Sequence, residues 1–139
     1  FIGSPSMNFI NVRVSPDCSS VSLQKSDIEF HFGENYKEEL KKSGYAGKNV
    51  IMGIRPNDIY TEDKTSEPHA DMSRPFSVDV VSTELLGASQ LIYFLLDGVK
   101  CVADVAAEAI PEKGKKINLC INMEKIHLFD VDTEETIIG

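Results

Sequence analysis

The sequence has no tryptophan, three cysteines and no long hydrophobic run. The cysteines are odd in number and form no C-x-x-C pair, so we expect free thiols in a reducing compartment. The longest apolar run, Leu91 to Leu96, has six residues, whereas a helix that spans a bilayer needs about 20. The sequence has no basic segment followed by an apolar one, so we expect no signal peptide. Because the chain begins with Phe1 instead of methionine, we expect a processed product or a piece of a longer protein.

Positive charge is also scarce, since 14 Lys and Arg stand against 22 Asp and Glu and give a net charge of −8. The excess lies late in the chain, where residues 51–100 and 101–139 each hold 4 basic and 8 acidic side chains, net −4. Such a surface repels phosphate, which disfavours nucleic acid and anionic membrane surfaces as partners. The 139 residues, 42% of them hydrophobic, fit one globular domain with a sizeable core.

Alternation of apolar and polar residues with period two is the main pattern of the chain. It is clear at Ile28–Phe32, Phe76–Val80 and Ile117–Met123, and it predicts strands with one buried face. Leu91–Leu96 is apolar throughout, which predicts a central strand covered on both faces. The Asp97-Gly98 pair that follows predicts a hairpin turn, because both residues tolerate positive φ.

Two further local signals refine this pattern. Val81 directly follows Val80 and interrupts the alternation, which predicts a β-bulge. One helix is predicted, with Asn35 as its N-cap, Tyr36 and Leu40 one turn apart, and Gly44 at its end.

About nine short strands and one short helix predict a mainly β barrel or sandwich. The segment Thr61–Arg74 is polar, contains a proline and has no period, so we expect a long surface loop or an insertion there.

Motifs for phosphate or metal binding are incomplete. Gly44–Asn49 superficially resembles a phosphate-binding loop, but only two residues separate its glycines where the motif needs four, and Asn follows the lysine, so a helix end before a strand is expected. His31, His69 and His127 lie on separate segments without metal-ligand spacing, which favours surface or hydrogen-bonded histidines.

Nucleophilic catalysis has no support either. Cys18 lies in a polar turn and is expected to be the most exposed thiol, but no base is paired with it. Cys101 and Cys120 lie within predicted strands and are expected to be buried. With no G-x-S-x-G motif, the residues alone indicate an acidic, mostly β domain without an internal active site.

Four segments together carry a family resemblance: FIGSPSMNF at Phe1–Phe9, GIRPNDI at Gly53–Ile59, VVSTELLG at Val80–Gly87 and KIHLFD at Lys125–Asp130. In this order they resemble the MalK/UgpC/MsmK-type ATPases, the nucleotide-hydrolysing subunits of bacterial sugar importers of the ABC class. The matches span nearly the whole chain. Two features depart from the family pattern: Asn57 stands at a usually acidic position, and Thr61–Arg74 is longer than typical.

The resemblance implies the C-terminal regulatory domain of such a subunit, with an OB-like (TOBE) β-barrel of about nine short strands and one short helix. It implies that residues 1–9 are a linker after a nucleotide-binding domain that this chain lacks, and that residues 10–139 are the regulatory domain. The family's phosphate loop, signature motif, Walker B acid and switch histidine are missing. We therefore expect no catalytic residue, metal site or cofactor in this chain, while the parent protein would be an ATPase that uses ATP and Mg.

The resemblance also implies partners and a location. They are the chain's own nucleotide-binding domain, a second copy in a homodimer of the parent, the permease subunits reached through the parent, and in some members a regulatory protein. The implied location is cytoplasmic, at the inner face of the cell membrane within a transporter complex, with neither membrane insertion nor nucleic acid binding.

Gly53, Ile54, Arg55 and Pro56 form the candidate structural or interface turn. Arg55 leaves a strand into a Pro-directed bend, where its planar guanidinium could hold a carbonyl or a carboxylate. Two interpretations stay open at this point, contact with a partner and bracing of its own domain.

A different class of function is a stand-alone oxyanion-binding TOBE protein of the molybdate type. Ser82, Thr83 and Ser89 are its candidate ligands, although the surrounding acidic residues disfavour an anion. A nucleic-acid-binding OB fold is disfavoured by the net charge and by the absence of tryptophan.

Overall fold

The computed structural model describes residues 6–62, 72–106 and 114–139. These ranges contain eleven strands, one α-helix and one 3₁₀ turn, and the mainly β class predicted from the sequence is confirmed, with two strands more than expected. In chain order the elements are β1 (Asn8–Val14), β2 (Ser20–Leu23), β3 (Glu29–His31), α1 (Glu34–Ser43), β4 (Asn49–Ile54), the 3₁₀ turn (Pro56–Asp58), β5 (Ile59–Thr61), β6 (Phe76–Leu86), β7 (Ser89–Leu96), β8 (Val99–Ala106), β9 (Lys116–Ile121), β10 (His127–Asp130) and β11 (Thr136–Ile138).

The strands form two antiparallel sheets. One has six strands in the order β11-β10-β4-β1-β2-β3, and the other has five in the order β5-β9-β6-β7-β8. The five-stranded sheet curls until its edge strands β5 and β8 approach each other, which is the geometry of a small, nearly closed barrel. The OB-like architecture expected from the resemblance is therefore confirmed.

A single hydrophobic core joins the two sheets. Phe30 of β3 meets Phe76 of β6 edge to face, with ring centroids 5.3 Å apart, and both side chains are buried. The helix adds Leu40, which is fully buried in the same cluster. In the described ranges no helix is long and apolar enough to cross a membrane, α1 having ten residues.

The local turn signals are confirmed. Asp97 and Gly98 adopt φ values of 55° and 80° between β7 and β8, and the Asp97 carboxylate accepts the N–H groups of Gln24 and Lys25 at 3.0–3.1 Å. The register between β6 and β7 shifts between Val80 and Ser82, where the bulge was expected. The helix ends at Gly44, which has a φ of 77°.

Two local predictions are wrong. The strand predicted from Leu91–Leu96 is covered on one face only: Ile92 and Phe94 are buried, whereas Leu95 is 44% exposed because that face of the curled sheet turns away from the core. The N-cap of α1 is Gly33 and not Asn35, since the extended backbone that precedes the helix is at Gly33.

Some predictions fall outside the described ranges. Of the segment Thr61–Arg74, Thr61 ends β5 and residues 63–71 are not described, so the loop prediction is not tested there. Residues 1–5, at the start of the first family-like segment, and His69 are outside the described residues as well.

Asn8 of β1 connects the two sheets through its side chain. Its amide nitrogen donates to the Ile54 carbonyl of β4 at 3.2 Å and to the Val102 carbonyl of β8 at 2.8 Å. The Val102 N–H in turn donates to the Asn8 side-chain oxygen at 2.8 Å. Because Val102 lies on an edge strand, the Asn8 amide takes the place of a neighbouring strand there.

We expect Asn8→Ala to lower the free energy of unfolding by about 2–3 kcal/mol, because it leaves the buried Ile54 carbonyl and the partly buried main-chain groups of Val102 without this partner. Asn8→Asp should be more destabilising at neutral pH, since an ionised carboxylate cannot donate to the two carbonyls, and the difference should shrink when acid protonates it. Urea denaturation measures both variants. A change below about 0.5 kcal/mol in Asn8→Ala would contradict the bridging role.

Candidate functional site

The predicted turn lies where β4 ends and the 3₁₀ turn begins. Gly53 and Ile54 are the last residues of β4, Arg55 is the extended residue that caps the turn, and Pro56 is its first residue. Proline suits this first position because its φ is already helical and its missing N–H would have no partner there. The Asp58 N–H donates to the Arg55 carbonyl at 3.0 Å and closes the turn.

Gly53 lies under a cluster of aromatic side chains. It pairs with Phe9 of β1 on one side and with His127 of β10 on the other. A Cβ at this position would come within 2.9 Å of the Phe129 ring and 3.0 Å of the Met7 sulfur. The Phe9 and Phe129 rings meet edge to face with centroids 6.0 Å apart. Glycine is therefore required here by close packing and not by an unusual backbone angle.

Charged groups of both signs surround the half-buried Arg55. Burial raises the pKa of Asp58, and the positive charges of Lys125, Arg55 and His127 oppose that rise. Burial also lowers the pKa of His127, Arg55 lowers it further, and a hydrogen bond with the Gly139 backbone together with the Asp58 charge opposes this effect. Arg55 thus acts electrostatically on both Asp58 and His127.

This arrangement can brace a turn by charge balance, and it provides neither a nucleophile nor a set of converging metal ligands. The sequence pointed to Gly53–Pro56 but did not identify Asp58, Lys125 and His127 as their neighbours. A signal was present, because these residues belong to the family-like segments GIRPNDI and KIHLFD. The antiparallel pairing of β4 with β10 brings the two segments together.

The two histidines that the structure describes lie far apart. His31 lies on β3 at one edge of the six-stranded sheet and His127 on β10 near the other, so four strand spacings, about 19 Å, separate their strands. In the part of the chain that the structure describes, no group of three or more His, Cys, Asp or Glu could hold a metal ion. Gly44–Asn49 forms the expected helix end and strand start, and Gly44 and Gly47 have φ values of 77° and 71°.

The prediction that Cys18 is exposed is wrong, because its side chain is fully buried. The Asp17 carboxylate accepts hydrogen bonds from the Ser15 and Ser19 hydroxyls and from the Ser19 N–H, and these bonds tighten the turn. Within it Cys18 adopts a φ of 60°. Cys101 and Cys120 are buried as expected, and burial raises the pKa of Cys101 to about 12.

The candidate oxyanion ligands do not converge on one point. Ser82 pairs with Tyr93, whereas Ser89 pairs with Leu86, four residues further along β6. That separation is about 14 Å along the strand, and Thr83 points to the opposite face from Ser82. Within one copy of the chain, a single tetrahedral oxyanion cannot contact all three side chains.

Comparison with known proteins identifies two family models. The one described as "MalK OB fold domain" matches residues 3–59, and the one described as "TOBE domain" matches residues 52–129. The second covers more than half of the chain, and the two overlap at residues 52–59, which include Gly53–Pro56.

Three relatives are similar along almost the whole chain. They are the multiple sugar-binding transport ATP-binding protein MsmK of Streptococcus mutans (36% identity over 99% of this chain and 35% of that protein), the oligosaccharides import ATP-binding protein MsmX of Bacillus subtilis (32%, 96% and 35%) and the trehalose/maltose import ATP-binding protein MalK of Thermococcus litoralis (31%, 99% and 36%). The chain spans about a third of the length of these relatives.

Among solved structures, the molybdate-bound cytoplasmic protein ModG has a similar fold. The TM-score is 0.67 at 14% sequence identity, and the match covers 87% of this chain and 94% of that one. At this identity the likeness shows the fold alone.

We expect Gly53→Ala to lower the free energy of unfolding by about 1–3 kcal/mol, because the added methyl group must displace the Phe129 ring or the Met7 side chain. Gly33→Ala is the matched control, since a Cβ at Gly33 meets nothing within 4 Å. In a Phe129→Leu background the cost of Gly53→Ala should be smaller, which a double-mutant cycle by urea denaturation measures. Equal costs in both backgrounds would rule out the close approach as the reason.

The lowered pKa of His127 predicts a loss of stability in mild acid. The unfolded chain takes up the His127 proton near the ordinary value of 6.5, whereas the folded chain resists protonation. The contribution is therefore complete above pH 6.5 and is lost as pH falls below it. The raised pKa of Asp58 acts in the opposite direction. His127→Gln should reduce the loss of unfolding free energy below pH 6.5, as urea denaturation over a pH series measures; an unchanged pH profile in this variant would contradict the prediction.

Proposed function

Since this chain belongs to the TOBE domain family, and its relatives include ATP-binding proteins of sugar importers, we propose that it is the regulatory and dimerising C-terminal domain of such a subunit in a bacterial ABC importer. There it would support ATP-driven carbohydrate uptake. One observation carries the proposal: the similarity to MsmK extends over 99% of this chain but only 35% of that protein. The other two thirds of such a protein would hold the ATP and Mg site, and this chain would bind neither.

Asn8 joins the proposed linker to both sheets of the proposed regulatory domain. In our proposal residues 1–9 are the linker and residues 10–139 the regulatory domain, and Asn8 lies at the boundary. Its side chain bonds to Ile54 in one sheet and Val102 in the other. A displacement of the linker would therefore reach both sheets together instead of bending one against the other.

Arg55 fits the bracing interpretation better than contact with a partner. It is half-buried and lies close enough to Asp58 and His127 to influence both. Its guanidinium would hold the turn that leads from β4 to the barrel, so Gly53–Pro56 would serve as a rigid joint between the sheets.

Dimerisation requires a self-complementary apolar surface, because a two-fold interface uses the same patch on both copies. Leu85 and Leu86, near the tip of the β6–β7 hairpin, are 57% and 47% exposed. Because successive side chains of a strand point to opposite faces, one of the two leucines would lie at the centre of such a surface. The remaining proposed partners are the nucleotide-binding domain, the permease subunits through the parent, and a regulatory protein. The proposed location is the cytoplasmic face of the cell membrane, without insertion into it.

Sedimentation equilibrium of the chain tests the dimer. An ATPase assay tests whether ATP hydrolysis belongs to another region of the parent protein. We expect a reversible dimer without ATP hydrolysis. Leu85→Ser with Leu86→Ser should weaken association at least about tenfold, since each buried leucine contributes about 1.5–3 kcal/mol. Leu95→Ser, 44% exposed at the far end of β7, is the matched control.

Two results would count against the proposal. A chain that stays monomeric, or a double variant that associates as well as the Leu95→Ser control, would remove the dimerising role of the hairpin. ATP turnover by the chain would remove the assignment of catalysis to a separate region.

A further inference from the structure

A surface cleft of about 510 Å³ lies between the end of β3, the first turn of α1 and two short segments at 72–74 and 123–124. Its volume falls in the range of small-molecule sites, about 300–1,000 Å³. None of the turn residues Gly53–Pro56 lines it. The cleft is therefore separate from the candidate turn described above.

The apolar part of the cleft is formed by two rings and two methionines. Phe32 and Tyr36 meet edge to face with centroids 5.9 Å apart, and both are half-buried. Met123 is buried and Met72 half-buried beside them. This surface suits a flat ligand face with C–H groups.

Hydrogen bonds fix the walls of the cleft. The Tyr36 hydroxyl donates to the Glu124 carbonyl at 2.6 Å and ties α1 to the opposite wall. Ser73 bonds twice to Ile121, its N–H donating to the Ile121 carbonyl and its hydroxyl accepting the Ile121 N–H, both at 2.8 Å. A ligand would thus meet a formed site and would not have to order these walls itself.

The rim carries both charge signs side by side. Glu29, Glu34 and Glu124 supply carboxylates, and Arg74 supplies a guanidinium. The helix also begins there at Gly33, which has no side chain to cap the first N–H groups. An anion would meet three carboxylates, and an organic cation would meet Arg74 and the positive end of the helix dipole. Neutral hydroxyl groups suit both the carboxylates and the N–H donors of the rim, because a hydroxyl can donate to a carboxylate and accept from an N–H.

From the aromatic side chains, the hydrogen-bonded walls and the charged groups of both signs at the rim, we propose that this cleft binds a neutral carbohydrate of one or two rings. A sugar ring would lie with its C–H face against one of the two aromatic rings, because Phe32 and Tyr36 stand at 69° to each other, and its hydroxyls would donate to Glu34 and Glu124. Binding itself does not depend on the proposed function. The role of this binding rests on the proposed function, because a regulatory domain that binds a neutral sugar could report the internal sugar level to the importer.

Isothermal titration of the chain with maltose and with sucrose tests the site, and ¹H–¹⁵N NMR locates it. We expect saturable binding of at least one disaccharide, with shifts at the amides of Phe32, Tyr36 and Glu124. Glu34→Gln and Glu124→Gln should each weaken binding about tenfold, because the neutral amide oxygen of Gln accepts a weaker hydrogen bond from a sugar hydroxyl than a carboxylate does. Glu38→Gln is the matched control, because Glu38 lies on α1, is exposed and does not line the cleft.

Spermidine and glutamine, titrated under the same conditions, serve as cationic and zwitterionic competitors. No binding of either disaccharide, tighter binding of spermidine or glutamine, or an equal loss in Glu38→Gln would overturn the proposal. Because the titration requires neither dimerisation nor ATP hydrolysis, its failure is distinguishable from a failure of the proposed function.

Discussion

The side-chain amide of Asn8 holds together two sheets whose strands do not pair with each other. It satisfies Ile54 at the end of β4 and Val102 on the edge of β8, with three hydrogen bonds of 2.8–3.2 Å. An edge strand left open would expose main-chain groups that invite association with another chain. Through this contact the start of β1 is bonded to the end of β4, from which the 3₁₀ turn leads into the curled five-stranded sheet.

The sequence predicted those features of the fold that depend on neighbours along the chain. Period-two alternation, the Asp97-Gly98 turn and the bulge after Val80 follow from local backbone chemistry, and the structure confirms them. The bridge from Asn8 to Val102 joins residues 94 positions apart, so no local pattern announces it. The sequence predicted a covered Leu95 and an exposed Cys18, and both predictions are wrong for the same reason. The exposure of each side chain depends on which distant residues the fold places against it.

The candidate turn was also predictable from the sequence only in part. Glycine before Arg-Pro identified a constrained turn, but the sequence could not show that the constraint is the ring of Phe129. The charges of Asp58 and His127 act near Arg55 only because β10 pairs with β4. The cleft beside α1 had no sequence signal at all, since its walls come from three separate segments with no common spacing.

The burial of all three cysteines has a practical consequence. Cys18, Cys101 and Cys120 are at most 2% exposed, and thiol reagents react with accessible thiolates. The native protein should therefore stay almost unlabelled by maleimide dyes, with no need to replace its own cysteines. A single cysteine introduced at an exposed position such as Leu85 would then accept a fluorophore or spin label selectively.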